Sequence, residues 1–150
     1  MSGVRTTEQR KADALAKLAE SDADLWVATA SATGEPYLVP LSYAWDGVDV
    51  ILSTHSSTLT ARNLEESGRA RLGVGHTRDV VMIDAHVVDT VSISDAPSEL
   101  VELYATQTDW DPRGIEGYVY LRLRPERVQA WREANETVGR DVMRSGTWLA

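Results

Sequence analysis

The sequence predicts a mainly β protein with a few helices, in which six or seven short antiparallel strands close into a barrel. Three observations lead to this class. Short runs rich in Val, Leu, Tyr and Trp recur along the chain, turn signals separate them, and only three segments have helical periodicity. A closed barrel removes the exposed edges that an open sheet of short strands would leave. With 150 residues, the chain is predicted to form one domain over 1–150.

Charge and composition exclude several classes of protein. A net charge of −8 argues against a nucleic-acid partner, because proteins that neutralise several phosphates need a basic face. No apolar run approaches the roughly 20 residues of a membrane span, and the N-terminus lacks the apolar segment of a secretory signal, so we expect a cytoplasmic protein without a membrane partner. The absence of cysteine excludes disulfides, thiolate metal sites and a cysteine nucleophile. Any redox chemistry would therefore need a bound cofactor.

The N-terminal third begins with a helix and continues as a hairpin. Thr6 followed three residues later by Gln9 is typical of a capping box, and apolar residues at helical spacing then predict a helix over about 7–20. Residues 25–31 and 36–45 are strand-like and are separated by the turn sequence "ATGE". These two strands are expected to pair.

A second hairpin and a second helix follow. The "DG" dipeptide at 46–47 predicts a two-residue turn into a third strand over 48–54. The pattern then becomes helical over about 58–67, with Gly68 just past the end as a C-cap candidate. The next strand is predicted over 70–75.

The C-terminal half contains the remaining strands and a third helix. A long strand is predicted over 79–94, a helix over 97–107, and an alternating strand over 118–124 that continues past a proline through 127–131. The tail from 133 to 150 is polar and carries no predicted element.

The stretch "STHSSTLTARNL" at 53–64 is a candidate anion site. A strand ends there, a hydroxyl-rich loop follows, and a helix begins, so free N–H groups and the helix dipole would favour a phosphate. Thr54, Ser56, Ser57 and Thr58 could donate to it. The alternative is that Ser57 or Thr58 only caps the helix and the rest is a solvated loop.

The order of these segments resembles a known family. The hairpin, then "STHSSTLTARNL", then "ARLGVGHTRDVVMIDAHV" is similar to the flavin-binding split barrel of the pyridoxamine 5′-phosphate oxidase-like superfamily, over about residues 20–132. The resemblance implies a six-stranded antiparallel split barrel of the FMN-binding type. It also implies a homodimer with FMN, or the related deazaflavin coenzyme, at the subunit interface, and a small-molecule substrate.

The resemblance assigns cofactor-binding residues in three segments. The phosphate motif is matched around Thr54, Thr58 and Asn63, an Arg-Gln-Val-like triplet is matched from Arg78, and the main chain of 39–42 would lie along the flavin ring. The full implied set is Val39, Pro40, Leu41, Ser42, Thr54, Ser57, Thr58, Thr60, Arg62, Asn63, Arg78 and Asp79.

The sequence also departs from the family pattern. The family usually places Lys or Arg against the cofactor phosphate, where this chain has Leu59 and Thr60. The phosphate charge must then be met by Arg62, Arg78 or an arginine of a second subunit, since charge-assisted hydrogen bonds are about twice as strong as neutral ones. The family's Arg-Leu-x-Pro ending is absent, so pyridoxamine phosphate oxidase activity itself is not expected.

Two function classes stay open at this point. One is an oxidoreductase that uses bound FMN or a deazaflavin coenzyme for hydride transfer to a small organic substrate. The other is a non-catalytic carrier that binds flavin, or heme as some relatives do. No metal site is expected, because His55, His76 and His86 show no three-ligand spacing. No catalytic side chain is named, because a flavin carries out its chemistry through its own ring.

Overall fold

Helix α1 begins at the capping box that the sequence predicts. In the computed structural model, which describes residues 3–150, the Thr6 hydroxyl accepts the Gln9 N–H at 3.1 Å, and the Gln9 side chain accepts the Thr6 N–H at 2.9 Å. The helix ends at Leu18, two residues earlier than expected, and Ala14 and Leu18 are fully buried against the barrel.

Residues 3–150 contain three α-helices and eight β-strands. The helices are α1 (Thr7–Leu18), α2 (Leu59–Ser67) and α3 (Ser98–Thr108). The strands are β1 (Asp24–Ala30), β2 (Pro36–Trp45), β3 (Val50–His55), β4 (Arg69–His76), β5 (Asp79–Ser92), β6 (Tyr118–Trp131), β7 (Asp141–Arg144) and β8 (Thr147–Trp148). Short 3₁₀ turns cover Ile93–Asp95 and Ala134–Glu136.

Six of the strands close into the predicted antiparallel barrel. Their order is β3, β2, β1, β4, β5, β6, and β6 pairs with β3 to complete the ring. All of these neighbours run antiparallel. The mainly β class and the six-stranded barrel are therefore confirmed.

Strands β2 and β3 separate after a short paired segment. They pair only where residues 43–45 meet residues 50–52. Residues 36–42 of β2 pair with β1 alone, while residues 53–55 of β3 pair with β6 alone. This divergence opens a split in the barrel wall and leaves one edge of the β2 main chain without a strand partner.

The apolar core has two parts. The larger part fills the barrel, where Val27, Leu52 and Leu123 are among the fully buried side chains. A smaller cluster lies between α3 and the outer side of β2, β3 and β6, and contains Tyr104 and Tyr120. The residues of β2 and β3 alternate between the two clusters, as strand geometry requires.

The turn between β2 and β3 is longer than the "DG" signal predicts. Strand β2 ends at Trp45 and β3 begins at Val50, so four residues form the loop instead of two. The Asp46 carboxylate accepts the backbone N–H groups of Val48 and Asp49 at 2.8 and 2.6 Å. The aspartate therefore folds the loop through its side chain, which the two-residue turn does not require.

The polar tail is also more ordered than the sequence indicates. Strand β7 pairs with β6, and β8 pairs with β7, so the tail extends the sheet beyond the barrel. Between β6 and β7, Glu136 turns inward and is 1% exposed. Within residues 3–150, no helix has the length and apolarity needed to cross a membrane.

Glu136 is the centre of a buried ionic cluster that joins α1 to the tail. Its carboxylate accepts from the Arg5 guanidinium at 2.8 and 3.0 Å and from the backbone N–H of Arg132 at 2.8 Å. The Arg5 side chain also bonds to Asp13, and the buried Arg10 guanidinium donates to four backbone carbonyls at 3.0 to 3.3 Å. We call Arg5, Arg10, Asp13 and Glu136 the α1–tail network. Hydrogen bonding to Arg5 lowers the pKa of Glu136 to about 2.

Candidate functional site

Thr58 caps α2, as one of the two interpretations of the loop predicts. Its backbone is extended, and its hydroxyl accepts the Ala61 N–H at 3.2 Å and donates to the His55 carbonyl at 3.0 Å. The Thr54 hydroxyl lies 3.3 Å away. At the other end of the helix, Gly68 has a φ of +71° and is the predicted C-cap. The Thr58 hydroxyl is therefore already engaged within the chain.

Ser57 holds the His55 ring in place. The Ser57 N–H donates to Nδ1 of His55 at 3.1 Å, and the Ser57 hydroxyl lies 2.7 Å from the same nitrogen. A neutral ring that accepts at Nδ1 carries its proton on Nε2. That nitrogen packs against Gly117, where any Cβ would overlap the ring. His55 is thus fixed between the loop and the start of β6.

Two N–H groups at the start of α2 remain available. A helix leaves its first N–H groups without an intrahelical partner, and those of Leu59 and Thr60 have no acceptor among the described residues. Neither side chain is basic, and Thr60 is buried. Arg62, in the same first turn and exposed, makes no ion pair within residues 3–150. It is the cation nearest in the chain to these groups.

A cleft of about 370 Å³ opens at the split between β2 and β3. Its lining residues are Asp24, Pro40, Leu41, Ser42, Ser53, Thr54, Tyr104, Trp110 and Tyr118. Four of them belong to the set that the family resemblance implies, namely Pro40, Leu41, Ser42 and Thr54. Of the other five, Ser53 lies on β3 at the start of the 53–64 stretch but is not in the implied set. The remaining four were not predicted, because they come from β1, α3, the loop after α3 and β6, and no local pattern links those segments.

One wall of the cleft is aromatic. The rings of Tyr104 and Trp110 lie 6.1 Å apart and those of Trp110 and Tyr118 lie 5.8 Å apart, both edge to face. Tyr104 is fully buried, and its hydroxyl has no hydrogen-bond partner. Burial raises the pKa of Tyr104, so its phenol stays protonated at neutral pH. The side chain of Trp110 is 38% exposed.

The cleft is also lined by polar side chains. The Ser42 hydroxyl donates to Oδ1 of Asp24 at 3.0 Å, and the Ser53 hydroxyl donates to the Val119 carbonyl at 3.0 Å. Neither Lys nor Arg lines the cleft within the part of the chain that the structure describes. The charged group in the cleft is therefore a carboxylate.

Three residues of the implied set have packing roles. Asn63 is buried, and its side-chain amide donates to the Thr29 hydroxyl at 3.1 Å, which fastens α2 to β1. Thr60 is buried within α2, and Val39 packs against the main core. None of the three lines the cleft.

Arg78 and Asp79 lie at the turn between β4 and β5 and do not line the cleft. The Arg78 guanidinium is paired with the Glu133 carboxylate at 2.9 Å, although its side chain is 78% exposed. Asp79 is paired with Lys17 at 3.2 Å and with Arg132 at 3.3 Å. Within one chain, these two residues contact α1 and the tail.

An outer apolar face adjoins the cleft. We define it by Trp26, Leu38, Gly73, Met82 and Trp131, which line a groove of about 590 Å³ on β1, β2, β4, β5 and β6. Trp26 is 51% exposed and Leu38 is 59% exposed. Trp26 of this face pairs in register with Pro40, which lines the cleft.

Comparison with known proteins identifies the family. Residues 12–132 match the family model described as pyridoxamine 5′-phosphate oxidase. The chain belongs to this family. The match covers the barrel and all segments that form the cleft, and it confirms the resemblance seen in the sequence. No curated protein matches the chain.

Several solved structures share the fold. An F420 reductase is 19% identical, with a TM-score of 0.62 over 74% of this chain and 92% of its own. HutZ, a heme storage protein from Vibrio cholerae, is 17% identical, with a TM-score of 0.63 over 79% of this chain and 92% of its own. A heme-binding protein from Mycobacterium smegmatis is 18% identical, with a TM-score of 0.64 over 96% of this chain and 60% of its own. At these identities the likeness shows the fold and not the activity.

Proposed function

We propose that this chain is an oxidoreductase that binds FMN or the deazaflavin coenzyme as a cytoplasmic homodimer and passes hydride to a small organic molecule. Membership of the pyridoxamine 5′-phosphate oxidase family supports the cofactor class. The observation that carries the proposal is the split itself, because it leaves one edge of the main chain of residues 36–42 without a strand partner and brings residues 40–42 into one cleft with Thr54.

The ring of the cofactor would lie along the free edge of β2. Alternate residues of a strand direct their backbone N–H and C=O groups to the same side, so this edge offers donors and acceptors to the polar edge of a flavin. Pro40 has no N–H and offers only its carbonyl. A bound flavin or deazaflavin supplies the hydride chemistry, while the protein binds it, orients it and excludes water.

The phosphate would lie at the start of α2. The N–H groups of Leu59 and Thr60 point out of the helix end, where the dipole favours an anion. Arg62 would supply the positive charge that the family usually takes from Lys or Arg at positions 59 and 60. Arg78 is the weaker candidate within one chain, because Glu133 already neutralises it.

A second copy of the chain would cover the outer apolar face. Exposed tryptophan and leucine beside a cleft are typical of an interaction surface, and the family resemblance implies a dimer with the cofactor between subunits. Light scattering of the cofactor-loaded protein should give twice the monomer mass of 16.5 kDa. A stable monomer at micromolar concentration would contradict the homodimer.

The second candidate is a non-catalytic flavin- or heme-binding protein, favoured by the two heme proteins among the similar structures. His55, the last residue of β3, is the histidine next in the chain to the cleft residue Thr54. Neither of its nitrogens faces open space, because Nδ1 is bonded to Ser57 and Nε2 packs on Gly117. The absorbance of the purified protein separates the candidates. Flavin bands support FMN, a Soret band supports heme, and colourless protein leaves the deazaflavin.

The binding test compares FMN with riboflavin, which has the ring but no phosphate. Wild type should prefer FMN, and Arg62→Ala should lose about 1.5 to 3 kcal/mol of FMN binding, about tenfold or more in Kd, while binding riboflavin as before. Arg69→Ala is the matched control, because Arg69 is also exposed and follows the other end of α2. Equal affinity of wild type for both ligands would mean that residues 53–64 form only a helix cap and a solvated loop.

A further inference from the structure

A groove of about 800 Å³ lies between α3, the loop that follows it and the start of β6. It is more than twice as large as the cleft at the split, and Tyr118 is the residue that the two share. Within residues 3–150, its lining includes none of the residues that the family resemblance assigns to the cofactor. Its larger apolar side chains are Ile93, Val101, Ile115 and Val119, and Ile115 is 42% exposed. The groove therefore offers apolar surface to a molecule other than the coenzyme.

The surface around this groove is strongly acidic. Residues 95–117 contain six acidic residues and one basic residue, a net charge of −5 out of −8 for the whole chain. All six carboxylates are exposed. Arg113, the basic residue, is already paired with Glu102 at 3.0 Å and with Asp111. The carboxylates without an ion pair within residues 3–150 are those of Asp95, Glu99, Asp109 and Glu116. This unpaired charge favours a cationic partner.

The charge is too widely spread for a single small cation. Asp95 and Asp109 lie beyond opposite ends of the 11-residue helix α3, so they are about 16 Å apart or more along its axis. Within residues 3–150, no three carboxylates or histidines come close enough to hold a metal ion. An extended peptide rises about 3.3 Å per residue, so about five residues span the same distance. The spread of charge matches a peptide segment that carries several cations.

We propose that this groove binds an extended basic segment of a partner protein. An apolar side chain of that segment packs against Val101, Ile115 and Val119. Its lysine or arginine side chains pair with Glu116 and the other carboxylates around the groove. The apolar contact supplies affinity, while the opposite charges steer the partner and exclude acidic ones. The inference does not depend on which coenzyme the cleft binds.

The experiment measures the binding of three fluorescent hexapeptides to the full chain by anisotropy, in about 0.15 M salt, where the Debye length is about 8 Å. The first peptide has two lysines on either side of two leucines. The second replaces the leucines with serines, and the third replaces the lysines with glutamates. The first should bind about tenfold more tightly than the second, because the serine peptide buries no leucine side chain. The third should not bind.

Two double variants test the contribution of charge. Glu102→Gln with Glu116→Gln removes two carboxylates from the lining of the groove and should weaken the binding of the first peptide about fivefold. Glu65→Gln with Glu66→Gln is the matched control, because it removes the same charge from the exposed surface of α2. The control should change the dissociation constant by about twofold or less, since salt screens attraction between distant exposed charges.

Two further variants test the apolar contact without changing the charge of the chain. Ile115→Ser should weaken the binding of the first peptide about fivefold, because it removes an apolar side chain from the groove. Val138→Ser is the control, because Val138 is 89% exposed in the tail, and it should bind like wild type. Equal binding of the leucine and serine peptides, or an Ile115→Ser variant that binds like wild type, would overturn the proposal.

Other occupants of the groove give different results. Displacement of the first peptide by lysine amide at the same amine concentration would indicate a site for a small amine. Equal losses in the two double variants would indicate diffuse attraction to an acidic protein. Either result would overturn the proposal. Titrations of the groove variants with FMN should match wild type, so a failure of peptide binding leaves the proposed coenzyme site untouched.

Discussion

The α1–tail network and the cleft both place polar groups in the interior, but only the first gives each of them a partner. Glu136 accepts from Arg5 and Arg132, and Arg10 donates to four carbonyls. At the cleft, by contrast, the buried Tyr104 hydroxyl has no partner within residues 3–150. The first arrangement stabilises the fold, whereas the second costs stability.

The two regions should therefore respond in opposite ways when a polar group is removed, as measured by the free energy of unfolding. Removing one member of a buried ion pair strands its partner and destabilises a protein by about 3 to 5 kcal/mol. Burying a hydroxyl without a hydrogen bond costs about 1 to 3 kcal/mol in proteins. Substitutions in the network should therefore destabilise the chain, and substitutions that remove the orphan hydroxyl should stabilise it.

The largest expected effect is at Glu136. Glu136→Ala leaves the buried guanidinium of Arg5 with only the half-exposed carboxylate of Asp13 and should lower the free energy of unfolding by about 3 kcal/mol, measured by urea denaturation. Glu133→Ala is the control, because Glu133 pairs with an arginine that is 78% exposed, and such pairs contribute about 1 kcal/mol or less. Similar losses of unfolding free energy in the two variants would contradict the conclusion that the buried network stabilises the fold more than an exposed ion pair does.

The network should also make stability depend on pH. The pKa of Glu136 is lowered to about 2 by its hydrogen bonds to Arg5, from a usual value near 4.5 in the unfolded chain. Its contribution is therefore fully present above about pH 4.5 and is lost as the pH falls towards 2. Thermal unfolding of wild type and Glu136→Gln between pH 6 and 2 should converge as the pH falls. A constant difference across that range would contradict the role of the Glu136 charge.

The smallest effect compares two buried tyrosines with opposite expected signs. Tyr104→Phe removes the orphan hydroxyl and should raise the free energy of unfolding by about 1 kcal/mol. Tyr43→Phe removes a hydroxyl that donates to the Lys17 carbonyl at 2.6 Å and should lower it by about 1 kcal/mol. Destabilisation by Tyr104→Phe would mean that its hydroxyl is bonded in the folded protein.

The sequence alone determined those parts of the molecule that depend on neighbouring residues. Alternation of apolar residues placed the six barrel strands, because a strand with one buried face must alternate. The Thr6 and Gln9 pair fixed the start of α1, and Gly68 fixed the end of α2, since caps are made by residues a few positions apart. The family motifs also identified four of the residues that line the cleft.

Only the tertiary structure decided which distant groups meet. Glu136 reads as part of a polar tail, and it is buried because Arg5, 131 positions earlier, bonds to it. Asp24, Tyr104 and Trp110 come from three separate segments and converge because β2 and β3 diverge while α3 packs beside them. Local periodicity carries no information on such long-range contacts. The barrel could therefore be predicted from the sequence, whereas the aromatic wall and the charge of the cleft could not.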